Sequence, residues 1–219
     1  MSFDFKQRAK NMEDAKKVLD DLGVRFWLEG GTLLGFRRSG YFIEWDHNAD
    51  FLVFSEDIYP YLSDMEENLI KLEFNVKVKK QRKYGSRGGA KEDGKYRSKI
   101  VAVRNGDPLN ICSYFLNGVE DLRVRIPYRF PNRLFDNNNF IEIEGVSYPC
   151  PNPVEEYLEL AYGYWREPIQ TKRSGNYRRG KGTTDHNAID MKYKELYKEG
   201  VYKYGETKIY HGYKILEGE

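Results

Sequence analysis

Residues 27–54 read WLEGGTLLGFRRSGYFIEWDHNADFLVF, and the fold turns on this stretch. The apolar run 24–28 before it has the length and composition of a buried strand. That run breaks at Gly30-Gly31, and Thr32-Leu33-Leu34-Gly35 can open a helix. Glycines between a strand and a helix N-terminus let backbone N–H groups approach an anion, most often a phosphate. Further on, Glu44, Asp46, Asn48 and Asp50 alternate with Trp45, His47 and Ala49. If the segment is extended, period two places the four oxygen-bearing side chains on one face and His47 on the other. Oxygen ligands beside a phosphate cradle suit Mg²⁺, or its relative Mn²⁺, which pairs a few carboxylates with substrate phosphates.

Around this stretch the bulk numbers describe a folded chain. With 219 residues it can bury a sizeable core. Lys and Arg number 36 against 34 Asp and Glu, a net charge of +2, which argues against a general polyanion binder. Aromatic residues reach 15%, with 18 tyrosines, and the mean hydropathy of −0.77 coexists with periodic apolar clusters. The two cysteines, Cys112 and Cys150, lack metal-ligand spacing and read as free thiols. The N-terminal segment is polar and no long apolar span occurs, so neither a signal peptide nor a transmembrane helix is expected, and the location expected is cytoplasmic.

Working outward, residues 5–22 form an amphipathic helix stopped by Gly23. Ser55 is a candidate N-cap for a helix reaching about Leu72, with Pro60 awkward in its second turn. Residues 74–78 alternate as a strand, and 79–99, KKQRKYGSRGGAKEDGKYRSK, is a basic, glycine-rich loop. Two hairpins follow. One joins 99–103 to 109–115 through Arg104-Asn105-Gly106-Asp107-Pro108, and the other turns at Glu144-Gly145. The segment from Pro151 through Glu155-Glu156-Tyr157-Leu158 opens a helix ending near Tyr162-Gly163. Residues 169–184 read as a basic loop, Asp185 as the cap of a last helix to about Glu199, and 202–216 as a short hairpin.

These residues resemble the LicD family, the phosphocholine and related phosphotransferases that include fukutin-like proteins and belong to the nucleotidyltransferase superfamily. The resemblance rests on GGTLLG at 30–35, Arg38, and Phe42-Ile43-Glu44-Trp45-Asp46-His47-Asn48-Ala49-Asp50. It rests also on Glu155-Glu156-Tyr157-Leu158 followed by Tyr162-Gly163-Tyr164-Trp165-Arg166-Glu167-Pro168. The resemblance implies an α+β, nucleotidyltransferase-like fold, a mixed twisted sheet of about four to six strands flanked by helices. One domain would span 1–168, and a basic, Tyr-rich extension over 169–219 would pack on it.

The implied activity moves a phospho-alcohol such as phosphocholine from a CDP-alcohol donor to a glycan hydroxyl, assisted by Mg²⁺ or Mn²⁺. Gly30, Gly31, Thr32 and Arg38 would bind the donor phosphates. Asp46, Asn48 and Asp50 match the family's acidic triad, and Asn110 stands where the family carries a further aspartate, so these four are the metal candidates. Glu44 replaces a proline of the pattern, and Asn48 and Asn110 each replace an aspartate. Three readings stay open at this stage: an active enzyme with a rearranged metal site, in which Glu44 restores a charge; a form that binds nucleotide or glycan without turnover; and an inactive variant. A nucleic-acid-binding module using the basic loops is a separate class, and the near-neutral charge counts against it.

Overall fold

The computed structural model describes residues 4–80, 98–117, 121–125, 128–162, 165, 166 and 168. Of the basic loop read over 79–99, residues 79–80 and 98–99 belong to strands instead, and 81–97 lie outside the described residues, as does everything expected over 169–219. The fold is α+β, a mixed sheet flanked by helices. Among the described residues seven strands make that sheet, more than the sequence suggested. The excess is β6 (Leu122–Arg125) and β7 (Tyr128–Pro131), which alternate apolar and polar residues over only four positions each, too short a run to stand out in the sequence. The main path runs β1 (Phe26–Leu28), β2 (Ala49–Phe54), β5 (Asp107–Asn117), β4 (Ser98–Arg104) and β3 (Asn75–Lys80). Only the β2–β5 pair is parallel among them. The second hairpin, β8 (Asn139–Ile143) with β9 (Val146–Cys150), forms a separate two-stranded sheet.

Strand β2 is almost uniformly apolar because both its faces are covered. On one face Asp50, Leu52 and Phe54 stand in register with Asn110, Cys112 and Tyr114 of β5. On the other, Ala49, Phe51 and Val53 stand in register with Leu109, Ile111 and Ser113. Trp27 reaches over the first face, its ring 4.5 Å from Phe54 and 5.1 Å from Phe135. Phe26 and Phe51 meet on the second, and Lys16 of α1 (Phe5–Asp21) lies over Phe26. Each large side chain fully buried in these layers, such as Phe51 or Leu19, contributes about 1.5–3 kcal/mol. Both cysteines are free and buried.

Two expected elements come out differently. The helix expected from Ser55 to Leu72 is split into α3 (Ser55–Ile58), a 3-10 turn (Tyr59–Tyr61) and α4 (Leu62–Lys71). Pro60 sits in the 3-10 turn, where its missing N–H is tolerated. The extended run expected from Glu44 begins only at Ala49; Glu44 and Trp45 form a turn closed by the Asp46 N–H on the Ile43 carbonyl. Phe42 and Ile43 are buried in the core, which fixes the turn between them and β2. The expected hairpins hold, with Asn105-Gly106 and Glu144-Gly145 at positive φ as two-residue turns require. Asp107, read as a turn residue, is instead the buried first residue of β5. No helix among the described residues is long and apolar enough to cross a membrane.

Candidate functional site

The site is built where β1 gives way to α2 (Gly30–Ser39). The N-cap is Glu29, in extended conformation and without a side-chain cap bond, so capping of the first turn is left to other groups. Gly30 has φ +61°, a conformation an L side chain resists, and a Cβ there would stand 3.0 Å from Asp50 Oδ2. Gly31 is required for space alone: a Cβ would fall 1.8 Å from Asp46 Oδ2. The Asp46 carboxylate therefore lies directly against the first turn of α2. Thr32 is buried, and its hydroxyl oxygen accepts the Asp50 backbone N–H at 3.0 Å, tying the glycine turn to the start of β2.

The two asparagines converge on one carboxylate. Asn48 Nδ2 donates to Asp50 Oδ2 at 2.6 Å, and Asn110 Nδ2 donates to Asp50 Oδ1 at 2.9 Å. Asn110 is the register partner of Asp50 across the parallel pair, so the sheet itself sets this distance. Gly30, Gly31, Thr32, Asp46, Asn48, Asp50 and Asn110 thus form one cluster. Glu44 is exposed at the turn, which removes it as a fourth group on this face, and His47 is exposed. Arg38 lies on the face of α2 that carries Gly31 and Gly35, seven residues on, about 10 Å along the axis. There its Nη1 donates to the Trp165 carbonyl at 3.4 Å.

Sequence reasoning missed the layer behind Asp50. Glu29 is 4% exposed, and the Tyr114 hydroxyl donates to its Oε2 at 2.7 Å. Burial pushes the Glu29 carboxyl up to about 7; Arg125 opposes the shift and Asp50 adds to it. Asp46 is likewise pushed up to about 7, first by burial and then by the Asp50 charge, with Arg8 opposing. Glu29, Asp50 and Cys112 bring one potential ligand atom each within 4.8 Å of one another. Burial raises the Cys112 thiol well above its usual range, and a thiol is a poor ligand for a hard cation. Only the components were visible in the sequence: Asn110, Cys112 and Tyr114 alternate along β5 and Glu29 ends an apolar strand, while their meeting is set by the register of β2 and β5.

A second missed group fixes the Asp46 loop. Arg8 of α1 is fully buried; Nη1 donates to the Asp46 carbonyl at 3.0 Å, and Nε and Nη2 donate to Asp107 Oδ1 at 2.9 and 2.7 Å. Asn11 donates to the other Asp107 oxygen at 3.3 Å. One guanidinium thus joins α1, the loop before β2 and the start of β5.

Residues 23–153 match the family described as LicD/FKTN/FKRP, nucleotidyltransferase domain. The chain belongs to this family. Ribitol-5-phosphate transferase FKTN of Mus musculus is 32% identical over 180 residues, covering 76% of this chain and 35% of that protein. The FKTN of Homo sapiens is 27% identical over the same length. Ribitol 5-phosphate transferase FKRP of Mus musculus is 51% identical over 41 residues, 19% of this chain and 8% of that protein. The chain spans about a third of the FKTN relatives' length and under a tenth of that of FKRP. Among solved structures, the solution structure of the antibiotic-resistance factor ANT(2'')-Ia aligns with a TM-score of 0.50 at 13% identity, over 91% of this chain and 89% of that one. That likeness concerns the fold alone.

The oxygen set of the cluster fits a divalent cation. Asp46 and Asp50 are hard carboxylate donors, and a half-turn of each amide about Cβ–Cγ would present Oδ1 of Asn48 and Asn110 in place of Nδ2. The set carries less negative charge than four carboxylates would, so the fit is to a weak site.

Proposed function

We propose that this domain is a LicD-type transferase that moves a phospho-alcohol from a nucleotide diphosphate donor to a hydroxyl of a glycan. The observation that carries this reading is the convergence of the glycine-started helix α2 on Asp46, Asp50 and Asn110. Backbone N–H groups of Gly30, Gly31 and Thr32, at the positive end of the helix dipole, would take donor phosphate oxygens. Arg38 would act as a fixed cation further along the same face. A divalent cation held by Asp46, Asp50 and the amide oxygens of Asn48 and Asn110 would supply neutralisation of the diphosphate charge. In the transfer, the acceptor oxygen bonds to the phosphorus that carries the alcohol, the bond to the bridging oxygen breaks, and the nucleoside monophosphate leaves. A carboxylate oxygen of Asp46 or Asp50 not engaged by the cation would accept the hydroxyl proton. The names of FKTN and FKRP make ribitol phosphate the first alcohol to try and phosphocholine the second.

A second reading has its own support: both Asp50 oxygens accept amide N–H bonds, so the cluster is satisfied without a cation. In that case the domain binds the donor and does not turn it over. One experiment separates the two. Incubation with CDP-ribitol or CDP-choline, Mg²⁺ and a glycan acceptor, followed by chromatography of CMP, gives acceptor-dependent CMP for a transferase. Donor binding with no CMP identifies a binding domain, and no donor binding at all removes both readings.

A further inference from the structure

Two arginines on β6 share one face of that strand and have different fates. Arg123 is 5% exposed, donates to Asn132 Oδ1 at 2.7 Å and to Glu56, and covers the Phe54 ring at 3.4 Å. Its Nε and Nη1 are held by the fold. Arg125 lies two residues on, with its side chain 23% exposed, and its Nη1 stands 3.6 Å from Glu29 Oε1, beyond hydrogen-bond distance. Other described ion-paired arginines, among them Arg8, Arg25 and Arg37, donate directly to their carboxylates. The Arg125 guanidinium also lies 5.8 Å from the Tyr114 ring, and the Tyr114 hydroxyl is committed as a donor to Glu29. The oxygen of that hydroxyl can still accept from Arg125, so Glu29 and Tyr114 orient the guanidinium through part of its fork and leave the remaining N–H groups for a ligand. Glu29 Oε and an Asp50 oxygen lie within 4.8 Å of each other, which sets Arg125 beside the Asp50 cluster.

Resting on the transferase reading above, we propose that Arg125 is a phosphate ligand of the nucleotide diphosphate, held for that role by Glu29 and Tyr114. Its planar fork matches two phosphate oxygens, and its charge offsets the diphosphate where Asn48 and Asn110 have removed negative charge that would otherwise attract a cation. Its partner Glu29 is the N-cap of α2, so the fork would meet the phosphates beside that helix end.

The test is calorimetric titration of CDP and of cytidine, with Mg²⁺, into the full chain, Arg125→Ala and Arg125→Lys. The wild type binds CDP more tightly than cytidine. Arg125→Ala weakens CDP about ten- to hundredfold and leaves cytidine unchanged, the loss of a charge-assisted hydrogen-bond pair. Arg125→Lys falls between, because it keeps the charge and loses the fork. It also carries the test should the alanine variant unfold, since its melting temperature is expected to match that of the wild type. A wild type that prefers CDP, with Arg125→Ala or a folded Arg125→Lys binding it equally well, overturns the assignment and leaves the donor site standing. A wild type that does not distinguish CDP from cytidine overturns both.

Discussion

Asp50 has two oxygens and two amide donors, and that pairing makes the asparagines informative. Asn48→Asp replaces the 2.6 Å N–H···O contact by two facing carboxylates, at about the same volume. The apo protein is expected to lose about 1–3 kcal/mol. Mn²⁺ should raise the melting temperature of the variant more than that of the wild type, because the cation offsets the new repulsion. Thermal melts with and without Mn²⁺ check this, and equal shifts in the two proteins would place the cation elsewhere. Gly31→Ala tests the approach of Asp46 to α2. A methyl 1.8 Å from Asp46 Oδ2 must displace that carboxylate. Urea unfolding should show a loss of about 1–3 kcal/mol, the usual cost of overpacking, together with loss of donor binding. Gly30, Gly31, Asp46, Asp50 and Asn110 were all legible in the sequence, since motif spacing and strand register carry them. Glu29 and Arg125 were not. Their significance comes from Tyr114 and Asp50 crossing from other strands, and no local pattern in the sequence encodes that meeting.

Among the elements, α1 was legible as an amphipathic helix but not as a part of the site. Its apolar stripe is visible at helical spacing, and Arg8 falls on that stripe between Phe5 and Met12, but nothing local names the group that would pair it. Burial of its guanidinium depends on Asp107, ninety-nine residues away, meeting it in the fold. Arg8→Met is expected to cost about 3–5 kcal/mol, because it leaves Asp107 buried without its cation. Arg8→Met combined with Asp107→Leu should recover part of that stability. It should not recover donor binding, since the Asp46 carbonyl has still lost its donor at 3.0 Å. Chemical denaturation beside CDP titration separates the two effects; recovery of both would make α1 a structural prop only. Pro60 shows the reverse case. The proline was read as awkward in a helix, and the fold accommodates it by splitting the helix into α3, a 3-10 turn and α4.

Taken whole, the molecule places two carboxyls with pKa values near 7 on either side of Asp50, and this gives its stability a pH signature. Burial raises Glu29 from 4.5 and Asp46 from 3.8, so the folded state holds protons that the unfolded chain has already released. Their contribution is full below about pH 4, falls as the pH rises toward 7, and is level above it. Without metal, Glu29→Gln should flatten the decline between about pH 5 and 7 in part, with Asp46 supplying the rest. Melting temperatures across that range check it, and an unchanged slope would mean that Glu29 is ionised throughout. The mixed sheet and its flanking helices were readable from the hairpins and from the family resemblance. The short β6 and β7 were not, because strands of four residues owe their existence to their neighbours more than to alternation. The decisive measurement is calorimetric titration of the wild-type chain and Gly31→Ala with CDP-ribitol, each with and without Mg²⁺. Wild-type binding that Mg²⁺ strengthens and Gly31→Ala abolishes is the predicted result. Binding that neither Mg²⁺ nor the loss of the glycine alters would contradict a phosphate site at the head of α2.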